Sequence, residues 1–291
     1  MMDPKNTLDS YNKDIIEYYN RGEVSYRDAW DLDTSLAFHF GLWDKKTRNL
    51  REALKRTNEI MAEMAEITKT DSVLDAGCGV GGSLLFLVGT IGCKGTGITI
   101  TPRQVELAEI AAKNRNLSHL VTFIEMDFNK TDFPDGSFTI YWGIESLCYS
   151  KDKAALLREA FRLLKPGGRL IVADAFYSKE NYSESDWKAV QQIWNSWVVD
   201  KLATEKEFRN GLESAGFQNI SYKNVTKMIM PSARRLWFFG RAALFAGILF
   251  SLIGKKYGNP QCIGNTIAAV RQYQGLKRGL WEYGIFYAEK K

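Results

Sequence analysis

The sequence predicts an α/β fold, a parallel sheet with helices covering both faces. Three observations carry this reading. Strand-like and helix-like segments alternate from residue 71 to residue 175, as expected of consecutive βαβ units. The run Val73-Leu74-Asp75-Ala76-Gly77-Cys78-Gly79-Val80-Gly81-Gly82 reads as a strand end, a glycine turn and a helix start. The segment Lys165-Pro166-Gly167-Gly168 stops a helix and turns the chain into the next strand. With 291 residues the chain can bury a sizeable core as one large or two modest domains.

In chain order, residues 10–20 read as a short helix with Ile15, Ile16, Tyr18 and Tyr19 as its apolar members. Residues 24–43 are aromatic-rich and irregular, and residues 47–68 show helical periodicity. Strands are predicted at 72–75, 94–99, 121–126, 138–144 and 168–174. Helices are predicted at 83–91, 102–115 and 151–164, with Pro102 suited to a first helical turn. Residues 183–200 and 204–215 read as helices, and Gly216 as a C-terminal stop. Two further strands are expected at 218–228 and 280–289. About fifty residues separate them, far more than a simple connection needs. They hold the apolar stretch Leu236–Ile253 and a helical stretch near 262–277.

Composition narrows the function classes. Hydrophobic residues make up 45% and charged residues 25%, ordinary for a soluble globular protein. The net charge of +5 comes without a long Lys/Arg stripe, so a nucleic-acid partner is not expected. The four cysteines, at 78, 93, 148 and 262, form no CxxC pair. Free thiols in a reducing, cytoplasmic compartment are the simple reading. The only histidines, His39 and His119, are far apart, and no metal site is expected. The polar N-terminus shows no secretory signal. Leu236–Ile253 is short for a spanning helix, and the internal Arg241 makes spanning costly. It reads either as a helix covering an apolar pocket or as a peripheral membrane contact.

The glycine turn is the most informative motif. Gly77, Gly79 and Gly81 allow a sharp turn and close approach of the backbone to a ligand. The helix that follows presents its positive end to the loop. Together these make a nucleotide-cofactor site. Beyond that point, Asp-Ala-Gly-Cys-Gly-Val-Gly-Gly (75–82) resembles the first motif of class I methyltransferases that use S-adenosylmethionine. The resemblance implies a Rossmann-like seven-stranded sheet, an N-terminal helical lid and a helical insertion between the last two strands. The implied organisation is a lid over 1–70, a cofactor-binding core over 71–230, a substrate-binding insertion over 231–279 and a final core strand over 280–291.

The same resemblance implies residue roles. Asp75, Gly77, Cys78, Gly79 and Gly81 would hold the amino-acid end of S-adenosylmethionine. Most of the family places an acid at the end of the second strand, where this chain has Thr99. The run from Gly97 to Gln104 instead resembles the Gly-Ile-Thr-Leu-Ser-x-x-Gln pattern of tocopherol methyltransferases and cyclopropane fatty acid synthases. Thr99 and Gln104 would then take the ribose, or else be surface residues at a helix start, and Ile100 joins the cofactor set. Asp127 would accept from the adenine amino group and Phe128 would pack on the ring. Trp142 joins this cofactor set.

Glu145 ends the fourth strand and should face the reaction chamber. Its segment resembles the Glu-Ala-Thr-Cys-His stretch of sterol C-methyltransferases, with Tyr149 standing where those relatives carry histidine. Glu145 is the first choice for the base, or for the acceptor of a substrate hydroxyl's hydrogen bond, and a tyrosine is a poor base at neutral pH. The phrase Leu36–Trp43 resembles the Phe-His-Phe and His-Phe-Gly-Tyr-Trp phrases of the same families. It makes His39 either a ligand contact or a packing residue. Tyr26, Trp30, Phe40, Trp43, Tyr141, Trp194 and Trp197 are the candidate substrate aromatics, with core packing the alternative for each.

The implied function is methyl transfer from S-adenosylmethionine to a hydrophobic, sterol- or isoprenoid-like molecule, with carbon preferred as acceptor. Alternatives are O- or N-methylation of a tocopherol-like or small amine acceptor, and a non-catalytic protein that binds the cofactor or docks on membranes. A nicotinamide dehydrogenase would be expected to carry an acid after the second strand and no Asp before the glycines.

Overall fold

The computed structural model describes residues 10–30, 32–252 and 260–291. The N-terminal region holds helices α1 (Ser10–Trp30), α2 (Leu32–Ser35) and α3 (Leu50–Met64). The alternating core follows: β1 (Ser72–Ala76), α4 (Gly82–Ile91), β2 (Lys94–Thr99), α5 (Pro102–Asn114), β3 (Val121–Glu125), β4 (Phe138–Ile144), α6 (Lys153–Leu163) and β5 (Leu164–Tyr177). The C-terminal part is α7 (Glu184–Asn195), α8 (Glu205–Ala215), β6 (Gln218–Asn224), α9 (Thr226–Leu252), α10 (Pro260–Lys277) and β7 (Trp281–Glu289).

The strands form one seven-stranded sheet in the order β3-β2-β1-β4-β5-β7-β6. β1 to β5 pair in parallel, and β7 runs antiparallel to both β5 and β6. This is the Rossmann-like sheet the motif implied. The chain leaves β1 for β2 and β3, then returns to place β4 on the other side of β1. The topological switch point therefore lies between β1 and β4, where open α/β sheets bind ligands at the carboxyl edge.

Each sheet face has its own core. Val73, Ile140, Trp142 and Ile171 pack on one side with α3 and α4 residues such as Met61 and Leu84. Leu74, Tyr141, Leu170 and Val172 pack on the other with α6 and α8 residues such as Leu157 and Leu212. Neighbouring strand residues alternate between the two faces, as the period-two pleat requires.

Several boundaries differ from the sequence reading. The first helix does not stop near residue 20 but runs to Trp30, so the irregular segment begins only after Ser35. β5 is 14 residues rather than seven, because its glycine turn also pairs: Gly167 N–H donates to Lys290 O at 2.6 Å and Lys290 N–H to Gly168 O at 2.8 Å. α7 ends at Asn195, short of 200, and Val198 follows with φ +58°. β6 stops at Asn224, not 228, where Asn224 Oδ1 accepts from Thr226 N at 3.1 Å and caps the start of α9. The apolar stretch read as 236–253 belongs to this longer helix of 27 residues, with residue 253 outside the described residues.

The segment after α2 is held on the core by close backbone approach. Leu42 N–H donates to Ala53 O at 3.0 Å, and Trp43 N–H to Met228 O at 2.9 Å. A Cβ on Gly41 would lie 2.7–2.9 Å from Ala53 Cβ, Ala53 C and Leu54 N. Those are mostly helix backbone atoms of α3, which cannot yield as a side-chain tip can. Gly41→Ala is expected to lower stability by about 1–3 kcal/mol, the usual range for overpacking, as read by denaturant unfolding.

Candidate active site

The carboxyl ends of β1 and β4 open onto a cavity of about 90 Å³. Its walls come from the glycine turn, the start of α5, the loop after β3, the end of β4, and α1 with the segment 36–39. Asp75 lies at the β1 end, in register with Gly97 on β2 and Trp142 on β4. It is buried, and its Oδ2 has no hydrogen-bond partner. Burial alone pushes its pKa up to about 7.

The turn after Asp75 has φ of +83°, +54° and +81° at Gly77, Gly79 and Gly81. Other residues rarely adopt this left-handed region. Gly77, Cys78 and Gly79 line the cavity, whereas Gly81 stands behind it as the residue before α4. A Cβ at Gly81 would come within 2.7 Å of Phe123 Cζ, so that glycine serves helix–strand packing. Burial holds the Cys78 thiol well above its ordinary pKa, protonated and inert.

Thr99 and Gln104 are brought together. Thr99 Oγ1 donates to Gln104 Oε1 at 2.7 Å, with both residues buried. Gln104 and Ile100 line the cavity, and Thr99 stands one bond behind, orienting the amide. Next to them Thr101 Oγ1 is buried without a partner. Asp127 and Phe128 also line the cavity. Asp127 Oδ1 accepts from Asn129 N and Nδ2, both at 2.8 Å, while Oδ2 accepts from Asn12 Nδ2 on α1 at 2.9 Å. The N-terminal helix is thus fastened across the mouth of the site.

On the same cavity wall, Glu145 directly follows β4 with φ +50°. That backbone costs about 1–2 kcal/mol for a residue with a Cβ, and is held by Glu145 N–H donating to Ala173 O at 2.9 Å. Glu145 Oε1 accepts from Phe40 N at 2.6 Å and from Tyr283 Oη at 2.8 Å. Burial nevertheless dominates and pushes the carboxyl up to about 8; the two donors and the nearby Asp174 modify that value. His39 is buried beside it, lowered to about 4 by desolvation and therefore neutral at pH 7. Its Nδ1 donates to Phe40 O at 3.0 Å, which leaves a buried Nε2 with no partner on the cavity wall. Tyr149 lines the same wall; it donates to Trp197 O and accepts from Tyr19 Oη, each at 3.2 Å.

Of the remaining candidates, Tyr141, Trp142, Phe40, Trp43, Trp194 and Trp197 do not line the cavity. Trp142 and Tyr141 are fully buried on opposite sheet faces, because they lie mid-strand in a sheet covered on both sides. Only Ile144 and Glu145, at the strand end, face the chamber. Phe40 packs against Trp281 and Tyr283, at ring distances of 6.0 and 6.1 Å. Trp43 Nε1 donates to Ser232 Oγ on α9 at 2.8 Å. Trp194 stacks edge-on with Trp281 and Trp197, at 5.2 and 5.6 Å. The side chains of Tyr26 and Trp30 lie outside the described residues. Sequence reasoning missed Asn12, Tyr19, Phe38 and Tyr283. The first three sit on N-terminal elements whose docking has no local signal, and Tyr283 comes from the last strand.

These residues fit S-adenosylmethionine. A buried carboxylate with no internal partner suits an ammonium group, and the glycine cradle leaves room where a Cβ would intrude. A buried hydroxyl–amide pair can serve ribose hydroxyls, and Phe128 offers a ring beside Asp127 for the base. The fold and the site together define a class of enzyme. Residues 74–172 match the family described as Methyltransferase domain. The 27-O-demethylrifamycin SV methyltransferase of Amycolatopsis mediterranei is 30% identical over 213 residues, covering 73% of this chain and 78% of its own. The chloroplastic tocopherol O-methyltransferase of Arabidopsis thaliana is 25% identical over 304 residues, covering 98% and 84%. Among solved structures, geranyl diphosphate C-methyltransferase from Streptomyces coelicolor A3(2) superposes with a TM-score of 0.76 at 20% identity, covering 100% of both chains. The chain belongs to the class I S-adenosylmethionine-dependent methyltransferases.

If Asp75 holds the ammonium of S-adenosylmethionine, two outcomes are expected. Asp75→Asn is expected to weaken S-adenosylmethionine binding roughly ten- to hundredfold, the loss typical of a charge-assisted hydrogen bond. In the parent protein the carboxyl must be ionised to pair, and its free-state pKa is about 7. Affinity measured by calorimetry should therefore rise from pH 6 to pH 8, and this rise should vanish in Asp75→Asn.

Proposed function

We propose that this protein methylates a hydrophobic, isoprenoid- or sterol-like small molecule, at carbon, with Glu145 as the base. The observation that carries the reading is the placement of Glu145. It stands at the strand end on the wall of the same cavity as the glycine turn, with Oε1 fixed by two donors and Oε2 without a hydrogen bond among the described residues. The cavity lining includes the apolar and aromatic side chains of Ile15, Tyr19, Leu36, Phe38 and Ile144, alongside the polar His39, Ser146 and Tyr149.

S-adenosylmethionine supplies an activated methyl group on a sulfonium. The protein's contribution is alignment and exclusion of water, and alignment can be worth roughly 7–11 kcal/mol at best. Tyr19 and Phe38, with ring centroids 5.8 Å apart, present aromatic faces that favour positive charge developing on an apolar acceptor. After methylation of an alkene carbon a proton must leave. A carboxyl with a pKa near 8 is matched to that task at neutral to mildly alkaline pH. His39 Nε2 is a second acceptor on the same wall and can hold a substrate hydroxyl.

A second reading is O-methylation of a tocopherol-like acceptor. It is favoured by the near full-length match to the tocopherol enzyme and uses Glu145 to take a hydroxyl proton instead. Incubation with methyl-labelled cofactor and fractionated lipid extracts, followed by mass spectrometry of the product, separates the two by the methylated atom. No labelled product from any lipid fraction would sink both.

Glu145→Gln is expected to keep cofactor affinity and lower turnover at least about tenfold, as for loss of a general base. Because the base works in its ionised form and burial holds it up to about 8, the parent kcat/KM should climb with pH and level off above that value. A profile with its inflection near 4 would assign the base to His39 instead.

A further inference from the structure

The link between β6 and β7 is chemically unlike the rest of the chain. From Val225 to Leu280 it carries nine Lys and Arg residues and no Asp or Glu. The whole chain has a net charge of +5, so the remainder is net acidic. Positive charge is therefore concentrated on the α9–α10 hairpin.

The same hairpin exposes its apolar side chains. Phe238, Phe239, Phe245 and Ile248 are 51–64% exposed, and Leu244 and Ile263 are also exposed. They are most of the large exposed hydrophobics among the described residues, the others being Ile110 and Trp187. A clustered patch of this kind marks a contact surface. The two helices pack closely enough that a Cβ on Gly240 would lie 2.9 Å from Thr266 O, so the exposed face is the one turned away from α10. Arg235 and Arg241 lie over Phe239 and Trp237, at 4.5 and 4.9 Å from the ring centroids, which places cations among the exposed rings.

Topology sets where this face stands. β6 is antiparallel to β7 and β7 to β5, so β6 ends at the carboxyl edge of the parallel strands. The hairpin springs from the edge that holds the cavity. No helix of the described residues is long and apolar enough to cross a membrane.

We propose that the α9–α10 hairpin docks on an anionic phospholipid surface. Its rings and aliphatic side chains enter the interface, and its Arg and Lys side chains meet the headgroup charge. A second copy of this chain is a poor occupant, because a two-fold contact would set the same cationic patch against itself. Docking places the cavity edge near the bilayer, from which an apolar acceptor can be drawn.

The test is vesicle flotation with phosphatidylcholine alone and with added phosphatidylserine. The protein should float only with the anionic vesicles, and added salt should release it. The double variants F245S/I248S and R234E/R241E should each reduce the bound fraction about tenfold or more, with S-adenosylmethionine affinity unchanged. Absence of flotation with phosphatidylserine at low salt overturns the proposal. So does parent-like binding by both variants. A concentration-dependent dimer in sedimentation, lost in F245S/I248S without vesicle binding, would assign the face to self-association. Docking stands apart from the acceptor: a protein that floats but methylates only a polar acceptor keeps this surface and loses the function proposed above.

Discussion

A single carboxyl oxygen holds three distant parts of the chain in register. Glu145 Oε1 accepts from the backbone of Phe40, on the segment that closes the site, and from Tyr283, on the final strand. Neither contact is local, and both must form for the cavity to have its wall. The carboxyl is buried, so a missing donor would leave a polar group unpaired at a cost of about 1–3 kcal/mol. Correct seating of the N-terminal segment and insertion of β7 between β5 and β6 are thereby tied to a carboxyl on the cavity wall. The left-handed backbone at Glu145 fits the same picture. It aims the side chain out of the sheet at the point where the strand ends, and the surrounding bonds sustain the strain.

Three carboxyls crowd this edge of the sheet, and their partners separate their roles. Asp174 is the most satisfied, since Oδ2 accepts from Cys148 N at 2.9 Å and Oδ1 from Ala175 N at 2.8 Å. It is a structural acid that shapes the turn after β4. Glu145 has donors on one oxygen only. Asp75 Oδ2 has no hydrogen-bond partner among the described residues, and burial alone raises its carboxyl. The gradient from satisfied to unsatisfied carboxyl runs from the scaffold to the ligand side. Polar groups left unpaired in an otherwise well-bonded interior are where a ligand is needed to complete the structure.

The parts of this architecture that were legible in the sequence are those with local causes. The glycine turn needs positive φ at fixed positions, the strands of the parallel core end in recognisable turns, and Pro102 marks a helix start. They point to Asp75 and, through the strand end, to Glu145, while Asp127 follows from the family resemblance; all three line the cavity. The candidates that lie off it do so for equally physical reasons. Tyr141 and Trp142 lie within four residues of Glu145, yet only the exact strand end decides which side chain leaves the core. The aromatics at 40, 43 and 194 have partners on α9 and β7, far along the chain, and residue type alone does not reveal them. Asn12 and Tyr283 carry no motif at all. Their importance arises from tertiary docking, which sequence periodicity does not encode.

The division of labour between backbone and side chains explains why the class is plain and the acceptor is not. The cofactor cradle is built mainly from main-chain geometry around three glycines and a carboxylate, so relatives at 25–30% identity can keep it. The acceptor wall is built from side chains on α1, on segment 36–39 and on the strand ends, held by bonds that span more than a hundred residues. Changing one of those side chains alters the cavity without disturbing the cradle. Acceptor choice can therefore diverge on a constant donor site, and the cationic, apolar hairpin is a further layer of the same kind. On the docking proposed above, it would add a location for the reaction to a fold that fixes the cofactor site.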